Sequence, residues 1–139
     1  MWIVIKYKKK NYNILKENII EKIGVDSIFY KPKLKFQKYS KNKIINCELD
    51  ILGDYVFCFN NKLVNNNLIK TLNFAKGLKY ILEGSKSSQI EISKFIDKCK
   101  SLENKEGLIS KTIFETRIGE FYRFQNGPFT NKIFKIIEL

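Results

Sequence analysis

Asp54-Tyr55-Val56-Phe57-Cys58-Phe59 is the most strongly β-forming stretch of the chain. Its aromatic and β-branched residues suit a pleated surface that is at least half covered. Alternation along a strand sets Tyr55, Phe57 and Phe59 on one face and Val56 and Cys58 on the other, so neither face is polar. Two readings follow. The strand is central and covered on both sides, or one of its faces lines an open groove for a partner helix. Both demand a layered fold built around it.

Upstream, Trp2 to Tyr7 reads as a short strand. Asn11 is placed to cap a helix reaching about Ile23, with Tyr12, Leu15, Ile19 and Ile23 at spacings of three and four and Gly24 closing it. Ser27 to Pro32 suggests a second strand. Residues 34–47 alternate around Lys38-Tyr39-Ser40-Lys41-Asn42-Lys43, the pattern of a hairpin with a basic tip.

Downstream, residues 60–67 are polar and loop-like, and Leu68 to Ala75 forms a short helix. Leu78 to Leu82 is a brief strand. Ser88 to Leu102 is a helix whose apolar stripe is Ile92, Phe95, Ile96, Cys99 and Leu102. No internal repeat is visible. The order β-α-β-β-β-α-β-α implies an α+β fold, a mainly antiparallel sheet flanked by helices.

The chain of 139 residues suits one domain with an appendage, and its 44% hydrophobic and 14% aromatic content is ample for a core. A net charge of +12 favours a polyanionic partner, either nucleic acid or an anionic membrane. Abundant Lys, Asn and Ile also fit the plain compositional bias of an A+T-rich coding sequence. No apolar run approaches the roughly 18–20 residues that cross a bilayer. Trp2-Ile3-Val4-Ile5 precedes its lysines, the reverse of a secretory signal, so a cytoplasmic protein without a membrane partner is expected.

Signs of catalysis are sparse. Without histidine, the commonest proton shuttle and the Ser-His and Cys-His nucleophile pairs are missing. Walker and Rossmann glycine patterns do not occur. Cys47, Cys58 and Cys99 have no metal-ligand spacing and read as reduced thiols, with Cys58 a small core residue. Glu48 and Asp50, two residues apart on a strand, would share a face on which Mg²⁺ could bind, although paired surface carboxylates are usually just solvated. The expectation is a binding protein with no cofactor and no catalytic or metal site.

Basic residues carry more weight. Six lysines and no acid lie between residues 31 and 43, interleaved with Phe36 and Tyr39. On a protruding ribbon, Lys35, Lys38, Lys41 and Lys43 would contact phosphates without reading sequence. The plainer reading is a solvated lysine face.

Four stretches, in order, give a resemblance to NusG-type transcription elongation factors. Met1-Trp2-Ile3-Val4-Ile5 resembles the family's opening W-Y-V-V strand. Leu52-Gly53-Asp54-Tyr55-Val56-Phe57 resembles F-P-[GN]-Y-[VL]-[FL], with glycine where the family has proline. Ala75-Lys76-Gly77-Leu78-Lys79-Tyr80-Ile81, with the helix after it, resembles [TP]-R-G-V-x-x-F and the final helix of the N-terminal domain. Lys111-Thr112-Ile113-Phe114-Glu115 and the run from Gly119 to Phe129 resemble the lead-in to a KOW motif. In place of the family's single proline between them stands Thr116-Arg117-Ile118.

The resemblance implies a NusG-type N-terminal domain over residues 1–102, a ferredoxin-like variant with a four-stranded sheet. A linker at 103–111 and a short β-hairpin remnant of a KOW domain at 112–139 follow. Only ten residues come after Phe129, too few for a KOW barrel, so the family's contacts to termination factor Rho and to the ribosome are not expected. It further implies an elongation or antitermination factor seated on the clamp helices of RNA polymerase's largest subunit. Leu52, Tyr55, Phe57, Ile96 and Cys99 match the groove that receives those helices. Lys76 and the basic hairpin would face upstream or non-template DNA. Two other readings remain beside this one: a stand-alone basic nucleic-acid-binding module, and a metal enzyme built on Glu48 and Asp50.

Overall fold

The structure, a computed structural model, describes residues 1–115. The KOW-like run from Gly119 to Phe129, and the hairpin expected around it, lie outside the described residues. The chain divides into two compact units: Met1–Lys31 with Asp54–Ile90, and Pro32–Gly53 with the chain from Glu91 onward. The architecture is α+β, with a four-stranded antiparallel sheet and helices.

In the first unit the strands are β1 (Trp2–Tyr7), β2 (Ile28–Tyr30), β5 (Tyr55–Phe59) and β6 (Leu78–Ile81), in the order β2-β5-β1-β6. Every neighbouring pair is antiparallel. Helix α1 (Tyr12–Ile23) links β1 to β2, which flank β5. Helix α2 (Asn66–Leu72) links β5 to β6, which flank β1. Each helix-linked pair of strands therefore encloses a strand of the other pair.

One face of this sheet carries Ile3, Ile5, Tyr7, Val56 and Cys58, which form a single core with Leu15, Ile19 and Ile23 of α1 and Leu72 of α2. The three-and-four spacing read from the sequence is what brings one stripe of α1 onto the sheet. The stop at Gly24 is as expected: it takes φ +113°, and its N–H donates to the carbonyl of Ile20. The start differs. Asn11 stands at the N-cap position without a side-chain capping hydrogen bond, at φ −113° and ψ 22° rather than in the extended conformation that aims a cap back at the helix. Its carbonyl instead closes the first turn by accepting from Leu15 N–H, and it lies against Gly77.

Helix α2 also begins earlier than its apolar pattern implies. Asn60 and Asn65 accept hydrogen bonds from the backbone N–H groups of Lys62 and Asn67, so a stretch read as loop becomes a 3-10 turn (Asn61–Val64) running into the helix. Short polar side chains that cap are easily mistaken for loop formers.

The second unit contains β3 (Lys33–Ser40), β4 (Lys43–Asp50) and β7 (Leu108–Ser110), in the order β4-β3-β7. The β3–β4 hairpin has the expected basic tip. Lys41 and Asn42, at φ 49° and 62°, form its two-residue turn, a primed geometry that follows the twist of the strands. Strand β7, inside the stretch read as a linker, pairs parallel with the base of β3. Asn104 prepares it, its side-chain oxygen accepting from the backbone N–H groups of Glu106 and Leu108. A turn of helix, α4 (Lys111–Ile113), follows. Helix α3 (Gln89–Leu102) starts in the first unit and runs through the second, with Ile92, Phe95, Ile96 and Cys99 buried. No helix among the described residues is long and apolar enough to cross a membrane.

Candidate functional site

Registers across the first unit assemble a second sheet face from Trp2, Val4, Lys6, Tyr30, Tyr55, Phe57, Phe59 and Tyr80. Phe57 is its centre and is fully buried, as is Val4. Trp2 meets the Phe57 ring edge-on with centroids 6.3 Å apart and the Phe59 ring at 5.2 Å, while Tyr30 stacks over Phe57 at 6.4 Å. Such ring pairs add about 0.5–1.5 kcal/mol each beyond the area they bury. Of the two readings of the central strand, burial of Val56, Phe57 and Cys58 supports coverage on both sides.

Towards one end this face opens. Tyr55 is half-buried and Tyr80 exposed, their rings 6.3 Å apart and near perpendicular, and their hydroxyls hydrogen-bonded at 2.7 Å. The Lys6 ammonium lies 5.1 Å from the Tyr55 ring centre and 6.0 Å from that of Tyr80. Burial, followed by the hydrogen bond with Tyr80 and the charges of Tyr80 and Asp54, pushes the Tyr55 phenol up to about 12. It therefore stays a neutral donor and acceptor throughout the physiological range.

The five residues matched to a groove divide between the units. Tyr55 and Phe57 belong to the first, Leu52, Ile96 and Cys99 to the second. Four of the five are buried, and Tyr55 is the member that keeps accessible surface. Burial also pushes the Cys99 thiol up to about 12, with Glu103 adding to the effect, so this sulfur is a packing atom rather than a thiolate. Cys58 is raised to about 12 by the same cause, opposed by the N-terminal ammonium.

The proposed basic contacts divide as well. Lys38, Lys41 and Lys43 gather at the hairpin tip and are exposed. Lys35 is half-buried nearer the base, and strand alternation puts it on the face opposite Lys38. Beside Lys38 and Lys43, Tyr39 projects from the other face, 71% exposed, with its hydroxyl 3.4 Å from Asn42 Oδ1. Lys76 belongs to the first unit; it is exposed, and its backbone N–H is held by Asn18 Oδ1 at 3.0 Å. Lys31 is otherwise engaged, its ammonium 3.8 Å from the Tyr12 ring centre.

Glu48 and Asp50 do share a strand face, and with Lys33 and Leu49 they line an open depression of about 200 Å³. Directly across the ladder stand Lys35 and Lys33, whose charges compete with any cation there. Among the described residues no group of three or more Cys, Asp or Glu is placed to hold a metal ion.

Two features escape a reading of the sequence. One is the Lys6–Tyr55–Tyr80 cluster, drawn from three strands. The other is Gln89, whose side-chain amide donates to the carbonyl of Trp2 and accepts its N–H, both at 2.7 Å. It serves as a one-residue strand where β6 falls short of the end of β1. A comparison with models of known protein families gives no match for this chain, and a comparison with curated proteins gives none either.

Proposed function

We propose that this chain is a NusG-like transcription elongation or antitermination factor that acts by binding RNA polymerase through its clamp helices. The interleaved pair of strand-helix-strand units in the order β2-β5-β1-β6 supports this reading, since it is compatible with the ferredoxin-like layout the sequence resemblance implies. The observation that carries it is the aromatic second face of that sheet, buried at Phe57 and opening at Tyr55 and Tyr80. A rigid aromatic edge bordered by a lysine fits a helix-in-groove contact in which a few rings supply most of the energy. Phe57 would support such an edge from beneath while Tyr55 touches the partner.

Burial dictates the test. Phe57→Ala opens a cavity and destabilises the whole sheet, so the informative variant is Tyr55→Ala with Tyr80→Ala. Pull-down with RNA polymerase should fall by about tenfold or more at unchanged circular dichroism. Undiminished binding in the double variant sinks the groove assignment.

A second reading, a stand-alone nucleic-acid module, is favoured by the exposed Lys38, Lys41 and Lys43 beside Tyr39 at the hairpin tip. It predicts binding to DNA or RNA in the absence of polymerase. Replacing the three lysines by Gln should lower the slope of log K against log salt by about 1 for each phosphate no longer neutralised.

A further inference from the structure

Among the described residues, strand β4 is an open edge. Among the described residues its one ladder partner is β3, and six of its eight residues are exposed. Such edges are templates for another strand unless charge, proline or a bulge blunts them. None of these interrupts the middle of Lys43-Ile44-Ile45-Asn46-Cys47-Glu48-Leu49-Asp50. The register decides which groups face outward. Ser40 and Lys43 flank a two-residue primed turn and so form a hydrogen-bonded pair, which turns the backbone groups of Lys43, Ile45 and Cys47 towards β3. Those of Ile44, Asn46 and Glu48 point to the open side.

We propose that this edge is a homodimer interface, in which β4 pairs antiparallel with β4 of a second copy across a two-fold axis at Cys47. The strand is self-complementary. One end carries Lys41 and Lys43 and the other Glu48 and Asp50, so antiparallel pairing lays each basic end beside the acidic end of the other copy. With Cys47 opposite Cys47, Ile45 stands opposite Leu49 twice; these side chains are 46% and 54% exposed in the single chain and lie on the same face as Cys47. The two Asn46–Glu48 pairs exchange backbone hydrogen bonds, and each amide side chain meets a carboxylate. Sliding by one pair instead sets Ile44 opposite Glu48 and Lys43 opposite Leu49, losing the apolar matches. The interface belongs to the hairpin alone and does not depend on any contact with polymerase.

The geometry supplies its own probe. A non-hydrogen-bonded antiparallel pair has Cα atoms about 4.5 Å apart, within the range of about 4.4–6.8 Å that a disulfide spans. Cys47 is half-buried whereas Cys58 and Cys99 are buried. Diamide would take two electrons and two protons from the facing Cys47 thiols, itself reduced to the hydrazine, and leave one S–S bond between copies.

The full chain should sediment as a concentration-dependent dimer under reducing conditions. Diamide should then cross-link it in a form that Cys47→Ser abolishes. Asn46→Pro removes an outward N–H without touching the β3 ladder and should weaken self-association by about tenfold or more. Ile45→Lys, at an exposed side chain, should do the same and decides the matter if the proline variant misfolds. A chain monomeric at every concentration, with Cys47 cross-linking no faster than in denaturant, overturns the proposal. So does a dimer indifferent to both substitutions, or a monomer that accepts an added peptide strand at β4 in place of a second copy.

Discussion

The sheet of the first unit and the hairpin of the second are built from similar residues and end in opposite situations. Phe57 and Tyr39 are both aromatic residues in β-strands, yet one is fully buried among Trp2 and Tyr30 and the other stands in solvent. The difference is neighbours. Strand β5 has a strand on each side and α1 and α2 over the Val56–Cys58 face, whereas among the described residues the part of β3 that carries Tyr39 is paired with β4 alone, and β4 is exposed at six of its eight positions. The first arrangement makes stability, and the second leaves surface for charge and association.

The sharpest way to break this contrast is to truncate both rings. Phe57→Ala should cost about 3–5 kcal/mol in denaturant unfolding, whereas Tyr39→Ala should stay within about 0.5 kcal/mol. Equal losses would mean that the hairpin is as integral to the fold as the sheet. Next in size is Gly77→Ala. At φ +83° its new Cβ would lie 2.8 Å from the carbonyl oxygen of Asn11, so about 1–3 kcal/mol should be lost. Gly53→Ala, at φ +58° with nothing within 4 Å, should lose less, and the ordering of the two midpoints checks the claim.

A smaller effect of opposite sign belongs to the hairpin turn. Lys41 occupies a left-handed conformation that Asn tolerates better, so Lys41→Asn should raise stability by about 0.5–1 kcal/mol. If it also weakens nucleic-acid binding, the charge rather than the turn is responsible.

The smallest effect is the pH dependence of the open end of the sheet. The folded chain keeps the Tyr55 hydroxyl protonated above its ordinary value of 10, up to about 12. A group raised on folding stabilises fully below its unfolded pKa, and its contribution fades as pH rises from 10 through about 12. The unfolding midpoint should fall across that window, and Tyr55→Phe should flatten the fall. Following phenolate absorbance in the same variant should show the late-titrating tyrosine gone.

Much of this molecule is readable locally. The stripe Leu15-Ile19-Ile23, the stop at Gly24 and the alternation on either side of Lys41-Asn42 are signals carried within one turn or one strand, and the elements sit where those signals put them. Asn11, Asn60 and Asn65 read less well. An amide that can cap, turn or simply face water is settled by the backbone around it, and here the second and third cap while the first does not. The candidate binding residues divide in the same way. Their residue types were legible, but alternation alone separates Lys35 from Lys38, and no local pattern says that Phe57 is covered while Tyr55 is not.

By itself, then, the sequence determined the α+β class, most of the helices and strands, the basic tip and the apolar character of both faces of β5. Periodicity and turn chemistry act over a few residues and need no distant partner. Only the tertiary structure decided the strand order β2-β5-β1-β6, the use of Gln89 to finish β1, the pairing of β7 with β3 and the meeting of Lys6, Tyr55 and Tyr80. These join residues from 25 to 87 positions apart in the hydrogen bonds of Tyr55 and Gln89. Bringing such groups together costs chain entropy that only the packed whole repays, so nothing in any one stretch announces them.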